Sequence, residues 1–214
     1  ADSGLGATSG SLALTGGTLQ STGTFSLNTN RAVTLAGSNR FDVTSGQTLT
    51  LGQIADGGSA GALTKTSAGT LVLSGANTYS GGTTVNAGIL NIQDTSALGS
   101  SSATVASGAQ LQAQGDIAPT NALTLSGTGS GTGALLNILN NNTFSGPITL
   151  AGNTTIGSTA GLLTLGNGGI TGNYNLTFAG SGNTAVDGVI STSTGTLTKN
   201  GSGTLTLDGI NTYS

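Results

Sequence analysis

Apolar side chains in this sequence come in pairs two residues apart: Leu12 and Leu14, Phe25 and Leu27, Val33 and Leu35, Phe41 and Val43, Leu49 and Leu51. That spacing puts both members on one face of an extended chain and the residue between them on the other. The next pair starts after about eight residues of Gly, Ser, Thr or Asn, the rhythm of short strands joined by turns. The same beat runs through Leu71 and Leu73, Leu90 and Ile92, Leu123 and Leu125, Ile148 and Leu150, Leu163 and Leu165, Leu176 and Phe178, and Leu205 and Leu207. The chain is therefore expected to be all-β. The stretch Ala134 to Asn142 comes nearest to a helical pattern, and its three asparagines stop it after two turns.

Short strands suit a sandwich, a barrel or a solenoid, and internal repetition decides among them. Residues 61–80, GALTKTSAGTLVLSGANTYS, align without a gap on residues 195–214, GTLTKNGSGTLTLDGINTYS. A weaker copy, Asn142-Thr-Phe-Ser-Gly146, echoes Asn77-Thr-Tyr-Ser-Gly81, so the marker recurs at Asn77, Asn142 and Asn211 in nearly equal steps. With about 22 residues per three-strand coil, each interval is about three coils, which predicts a solenoid. In a parallel β-helix each strand pairs with its equivalent one coil away, about 4.8 Å off, and like residues stack. Leu, Ile and Val then fill the channel, Thr takes outward strand positions, Asn ladders its amides at corners, and Gly takes turns of positive φ.

Composition excludes several chemistries. There is no Cys and no His, hence no thiol nucleophile, no imidazole base, no disulfide and no zinc site of the usual ligands. Four basic residues and a net charge of −3 cannot neutralise a run of phosphates, so nucleic acid is not an expected partner. No apolar stretch is long enough for a membrane-spanning helix, and the N-terminus carries no signal-peptide pattern. A hydrophobic content of 35% argues against disorder.

The stretch from Gly69 to Ile92, GTLVLSGANTYSGGTTVNAGILNI, resembles the passenger-associated transport repeat of bacterial autotransporters, and Gly203 to Ser214 resembles the first half of a second copy. The repeat-motif residues are Gly69, Leu71, Leu73, Gly75, Asn77, Tyr79, Gly81, Gly82, Gly88 and Leu90, with Gly203, Leu205, Leu207, Gly209, Asn211 and Tyr213 in the second copy. Ile89 stands where the family often has Thr, at a position facing outward. The resemblance implies a right-handed parallel β-helix, exported across the outer membrane of a Gram-negative bacterium by a C-terminal translocator β-barrel that is absent from this chain. The lack of cysteine suits passage through a narrow pore. The expected architecture is one β-helix of about ten rungs over residues 1–214, roughly 50 Å long, with repeat blocks at 61–92 and 195–214.

Other residue patterns compete with a purely structural reading. Polysaccharide-acting β-helical enzymes use paired carboxylates, and Asp94 with Asp116, or Asp187 with Asp208, are spaced to sit on adjacent coils. Each lies in a turn-like context, where Asp caps its own backbone. Tyr79, Phe144 and Tyr213 share the marker position; as an exposed row they would bind sugar rings, and as corner plugs they would cover the core. Lys65 and Lys199 are expected to point outward and keep their strands soluble. Thr-x-Thr pairs suggest ice binding, but they start at Thr48, Thr64, Thr196 and Thr204, which fits no constant period. The calcium-binding nonapeptide and phosphate-cradling loops are missing.

The function expected from these readings is a non-catalytic stalk or adhesive passenger segment at the bacterial surface, without cofactor or metal. The alternatives are a polysaccharide-acting enzyme and an ice-binding solenoid. Expected partners are the translocator, and a sister molecule or a host surface ligand. Because the second marker stops at Asn211-Thr-Tyr-Ser214, residues after about Gly209 are expected to fray or to pair with another chain.

Overall fold

The computed structural model describes residue 7 and residues 9–213, and every helix-or-strand element among them is a strand, 22 in all. All strand pairings among the described residues are parallel and join each strand to its equivalent one coil away. The result is a parallel β-solenoid of about nine turns. At about 4.8 Å per turn this makes a rod of roughly 45 Å.

Each coil has three faces. Face A holds Leu12–Thr15, then the first residues of Val33–Val43 and Ile54–Thr66, and later Asn142–Phe144, Leu162–Leu165, Asn183–Val186 and Leu205–Leu207. Face B holds Thr18–Ser21, the second halves of those two long strands, and then Thr83–Val85, Ala103–Val105, Leu123–Gly127, the start of Ile148–Ser158, Ile170–Thr171 and Ile190–Ser191. Face C runs from Phe25–Ser26 through Thr48–Leu51, Thr70–Leu73, Ile89–Ile92, Gln110–Ala113 and Leu135–Asn137 to Leu176–Ala179 and Leu197–Lys199.

The period-two pairs fill the channel as expected. On face C, Leu49, Leu71, Leu90, Leu111, Leu135, Ile156 and Phe178 are successive register partners, and all are fully buried. Burying each such side chain contributes about 1.5–3 kcal/mol. Leu73 and Ile92 are equally buried, whereas Leu205 and Leu207 are half-buried against the same core. The stretch with helical character is a strand, Leu135–Asn137, because Leu135 continues the face C column and its partners fix it there.

Three expectations are corrected. Corner asparagines do not form one amide ladder; many bond instead to the backbone of a neighbouring coil, as Asn153 Oδ1 accepts the N–H of Asn175 and Asn175 Oδ1 that of Thr196, at 3.1 and 3.0 Å. The interval from Asn142 to Asn211 is more than three coils. Successive register partners Asn142, Leu163, Thr184 and Leu205 complete three coils at Leu205, so the marker at Asn211 lies beyond that point and one face further on. Finally, Lys65 does not face solvent. It occupies the inward column of face B, between Phe41 and Val85, and is fully buried. Lys199 takes the same phase, next to Phe178, although it is exposed.

Candidate functional site

The repeat marker is built around a grip on the preceding coil. Asn77 Oδ1 accepts the N–H of Ile54 at 2.7 Å while the N–H of Thr78 donates to the carbonyl of Ile54 at 2.8 Å. The same bracket closes on Ile117 through Asn142 and Thr143, and on Ile190 through Asn211 and Thr212. Two marker residues thus satisfy both backbone groups of one isoleucine, at a corner where the ladder itself is interrupted. The three isoleucines were not legible as partners, because the contact crosses a whole coil and involves their backbone alone.

The other marker residues support this grip. Tyr79 and Phe144 plug the corner, the first fully buried and the second nearly so, while Tyr213 is 39% exposed. The Tyr79 hydroxyl lies 2.7 Å from the Thr83 hydroxyl, and burial pushes its pKa up to about 12 against that hydrogen bond. Gly69, Gly75, Gly81, Gly203 and Gly209 have ordinary φ. They are glycine because an added Cβ would fall within 3.0 Å of backbone in the preceding coil. Gly88, in contrast, has φ 69°, and Gly82 has room around it. Leu71, Leu73 and Leu90 line the channel beside them.

Lys65 Nζ donates to the carbonyls of Thr66 and Ser67, both at 2.7 Å, and to that of Ala87 on the next coil at 3.2 Å. Burial pushes its pKa down to about 8, opposed by the Asp42 carboxylate. The side chain is a pin that satisfies a turn in which Ser67 has φ 63°. Lys199 makes the equivalent bonds to Asn200 and Gly201, at 2.8 and 3.0 Å.

The candidate aspartates fall into two kinds. Asp94 accepts the N–H of Ser96 in its own turn, and Asp116 accepts that of Asn141 from the next coil. Asp187 and Asp208 are adjacent, since Val186 and Leu207 are register partners, and both are exposed. Among the described residues no group of three or more potential metal ligands comes together. The Thr-x-Thr pairs are scattered over faces, Thr48 on C and Thr64 on B.

A different hydroxyl array does exist. On face B the central outward residues are Thr64, Thr84, Thr104, Thr124, Thr149, Thr171 and Ser191, successive register partners, and the Thr212 hydroxyl extends the row 3.2 Å from that of Ser191. None of the eight is buried and none is charged. Part of the signal was present as triplets of apolar–Thr–apolar, Ala103-Thr104-Val105, Leu123-Thr124-Leu125 and Ile148-Thr149-Leu150 on three successive coils. A search for Thr-x-Thr within a strand passes over it.

A family model, the passenger-associated-transport-repeat, matches residues 63–92 and 197–214. The chain is 37% identical over 165 residues to the adhesin BmaC autotransporter of Brucella suis biovar 1 (strain 1330). That match covers 64% of this chain and 5% of the relative, so the chain spans a small part of its length. No solved structure gives a significant match.

Proposed function

We propose that this chain, a stretch of autotransporter passenger carrying passenger-associated transport repeats, is a rigid segment that holds an adhesive face away from the bacterial surface. The similarity to an adhesin autotransporter supports surface exposure and a role without catalysis. In the full protein a C-terminal translocator carries the passenger across the outer membrane, and the marker blocks support that passage by fixing coil register as the chain folds.

The observation that carries the adhesive reading is the hydroxyl row of face B. Each hydroxyl both donates and accepts, and the row repeats at about 4.8 Å, so a sister molecule presenting the same row meets it in register. No charge between Thr64 and Thr212 along the row opposes that approach. Contacts of this kind are individually weak and add along the rod through multivalency. The enzyme reading has less behind it: the carboxylates of Asp94 and Asp116 are taken up by backbone N–H groups, and Asp187 and Asp208, though adjacent, are exposed.

The test is a chain displayed on cells with Thr84, Thr104 and Thr124 all changed to Lys. Outward substitutions of this kind shift stability by about 0.5 kcal/mol each, so the rod should remain folded by circular dichroism while cell clumping falls sharply. Unchanged clumping would remove face B from adhesion.

A further inference from the structure

The hydroxyl row of face B does not stop at Thr64. Its next register partner is Arg40, followed by Thr18. Here the surface opens into a hollow of ≈ 280 Å³ lined by Gly16, Gly17, Thr18, Ser38, Arg40 and Thr64. The hollow exists because the corner lacks side chains: a Cβ added at Gly17 would meet nothing within 4 Å. Its floor is rigid. Asn39, 1% exposed, accepts the N–H of Gly16 at 2.9 Å and donates to the carbonyls of Gly37 and Ala36 at 3.0 and 3.2 Å, which locks two successive corners together.

Arg40 is exposed, and among the described residues no hydrogen bond or ion pair engages its guanidinium. The neighbouring charges are accounted for. Asp42, two residues along on the same side, accepts the amide of Gln20 at 2.9 Å, and hydrogen bonds hold its carboxyl below the usual range, with the charges of Lys65 and Arg40 adding to them. Lys65 points inward and spends its donors on three carbonyls. Arg40 thus keeps its hydrogen-bond donors free, with its charge only partly balanced by Asp42, in a polar hollow that also presents the hydroxyls of Thr18, Ser38 and Thr64.

We infer that this hollow binds a ligand carrying a carboxylate beside several hydroxyls, as an acidic sugar does. The guanidinium fork matches a carboxylate with two parallel hydrogen bonds. Thr18, Ser38 and Thr64 complement ring hydroxyls, which also donate and accept. The volume lies just below the range of about 300–1,000 Å³ typical of small-molecule sites, so it admits one ring rather than an extended ligand. A sulfate would use the fork and accept from the hydroxyls, but it has no O–H to donate to their lone pairs, as a sugar ring does. The inference rests on the reading of face B as the contact face, and it adds the class of ligand held at its foot.

The experiment measures binding of the soluble chain to immobilised oligogalacturonate and to its methyl ester, which keeps the hydroxyls and removes the charge. The acid should bind at least tenfold more tightly than the ester. Arg40→Gln should lose at least tenfold on the acid alone, with unchanged thermal unfolding, and Gly17→Val, which adds bulk to the lining of the hollow, should lose binding as well. Equal binding of acid and ester, no binding of either, or an Arg40→Gln chain that binds like the parent would overturn the inference. If the acid fails to bind while the face B lysine substitutions still abolish clumping, the ligand site is wrong and the contact face stands.

Discussion

Residues 61–80 and 195–213 are nearly the same sequence placed on different faces of the rod. In the first block Lys65 lies on face B, Leu71 and Leu73 on face C, and the marker Asn77 grips Ile54 of face A. In the second, Lys199 lies on face C, Leu205 and Leu207 on face A, and Asn211 grips Ile190 of face B. The second block is turned by one face, yet its local bonds are the same: Lys Nζ to the next two carbonyls, Asn and Thr to one isoleucine. The block therefore encodes a turn and a grip, not a face. What differs is burial. Lys65 and Tyr79 are fully buried between coils on both sides, and Tyr213 is 39% exposed. In a stack whose units touch only their neighbours, the same residue acquires its environment from adjacent coils.

The strongest way to break this comparison is a charge in the channel. Leu73→Asp should cost at least about 3 kcal/mol, because an unpaired carboxylate is forced into a fully buried site, while Leu207→Asp, half-buried, should cost about 1 kcal/mol; urea midpoints would show the ratio. Equal losses would mean that position along the rod does not set the environment. Next is the marker asparagine. Asn77 satisfies Ile54 and the Ala97 carbonyl in a buried corner, so Asn77→Ala should lose about 1–3 kcal/mol, and Asn211→Ala, with one bond at a half-buried site, about 1 kcal/mol or less.

The lysine pair gives a pH test. With a folded pKa of about 8 and an unfolded value near 10.4, the unfolded chain binds more protons between those values. Stability contributed by Lys65 should therefore rise as pH increases from about 8 to 10.4 and level off above. Denaturation at pH 7.5 and 10 should show this rise in the parent and its loss in Lys65→Met; a Lys199→Met chain that lost it instead would reverse the assignment. The smallest effect is at the turn beneath each pin. Ser67 has φ 63° where the second block has Gly201 at φ 81°, so Ser67→Gly should raise stability by about 0.5 kcal/mol or less, relief of left-handed backbone strain being partly offset by loss of the side-chain bond to Asp42, measurable as a shift in thermal midpoint.

The all-β solenoid was legible from sequence because strand period and coil repetition are local or additive signals. Leu71, Leu73 and Leu90 alternate correctly within their own strands, and each column follows from repeating that phase. The repeat marker was legible as a pattern of Gly, Asn and aromatic residues. Its partners were not: Ile54, Ile117 and Ile190 contribute backbone groups, and nothing in their side chains announces a contact with the next coil.

What the sequence determined by itself is thus the strand phase, the stacking of like residues and the marker's own turn, all of which depend on neighbours close along the chain. Only the tertiary structure decided which face each block occupies, because coil lengths vary. The coil from Leu71 to its register partner Leu90 is shorter than the one from Leu123 to Ile148, and each difference shifts everything beyond it. The same accumulation aligned eight hydroxyls on face B and set Arg40 at their foot. It also turned Lys65 from a solubilising charge into a core pin. Its charged group follows the carbonyls of its own turn, while its stem fills the inward column between Phe41 and Val85. A hydropathy pattern, which assigns one sign to a whole side chain, cannot represent a residue that is apolar along its length and paired at its tip.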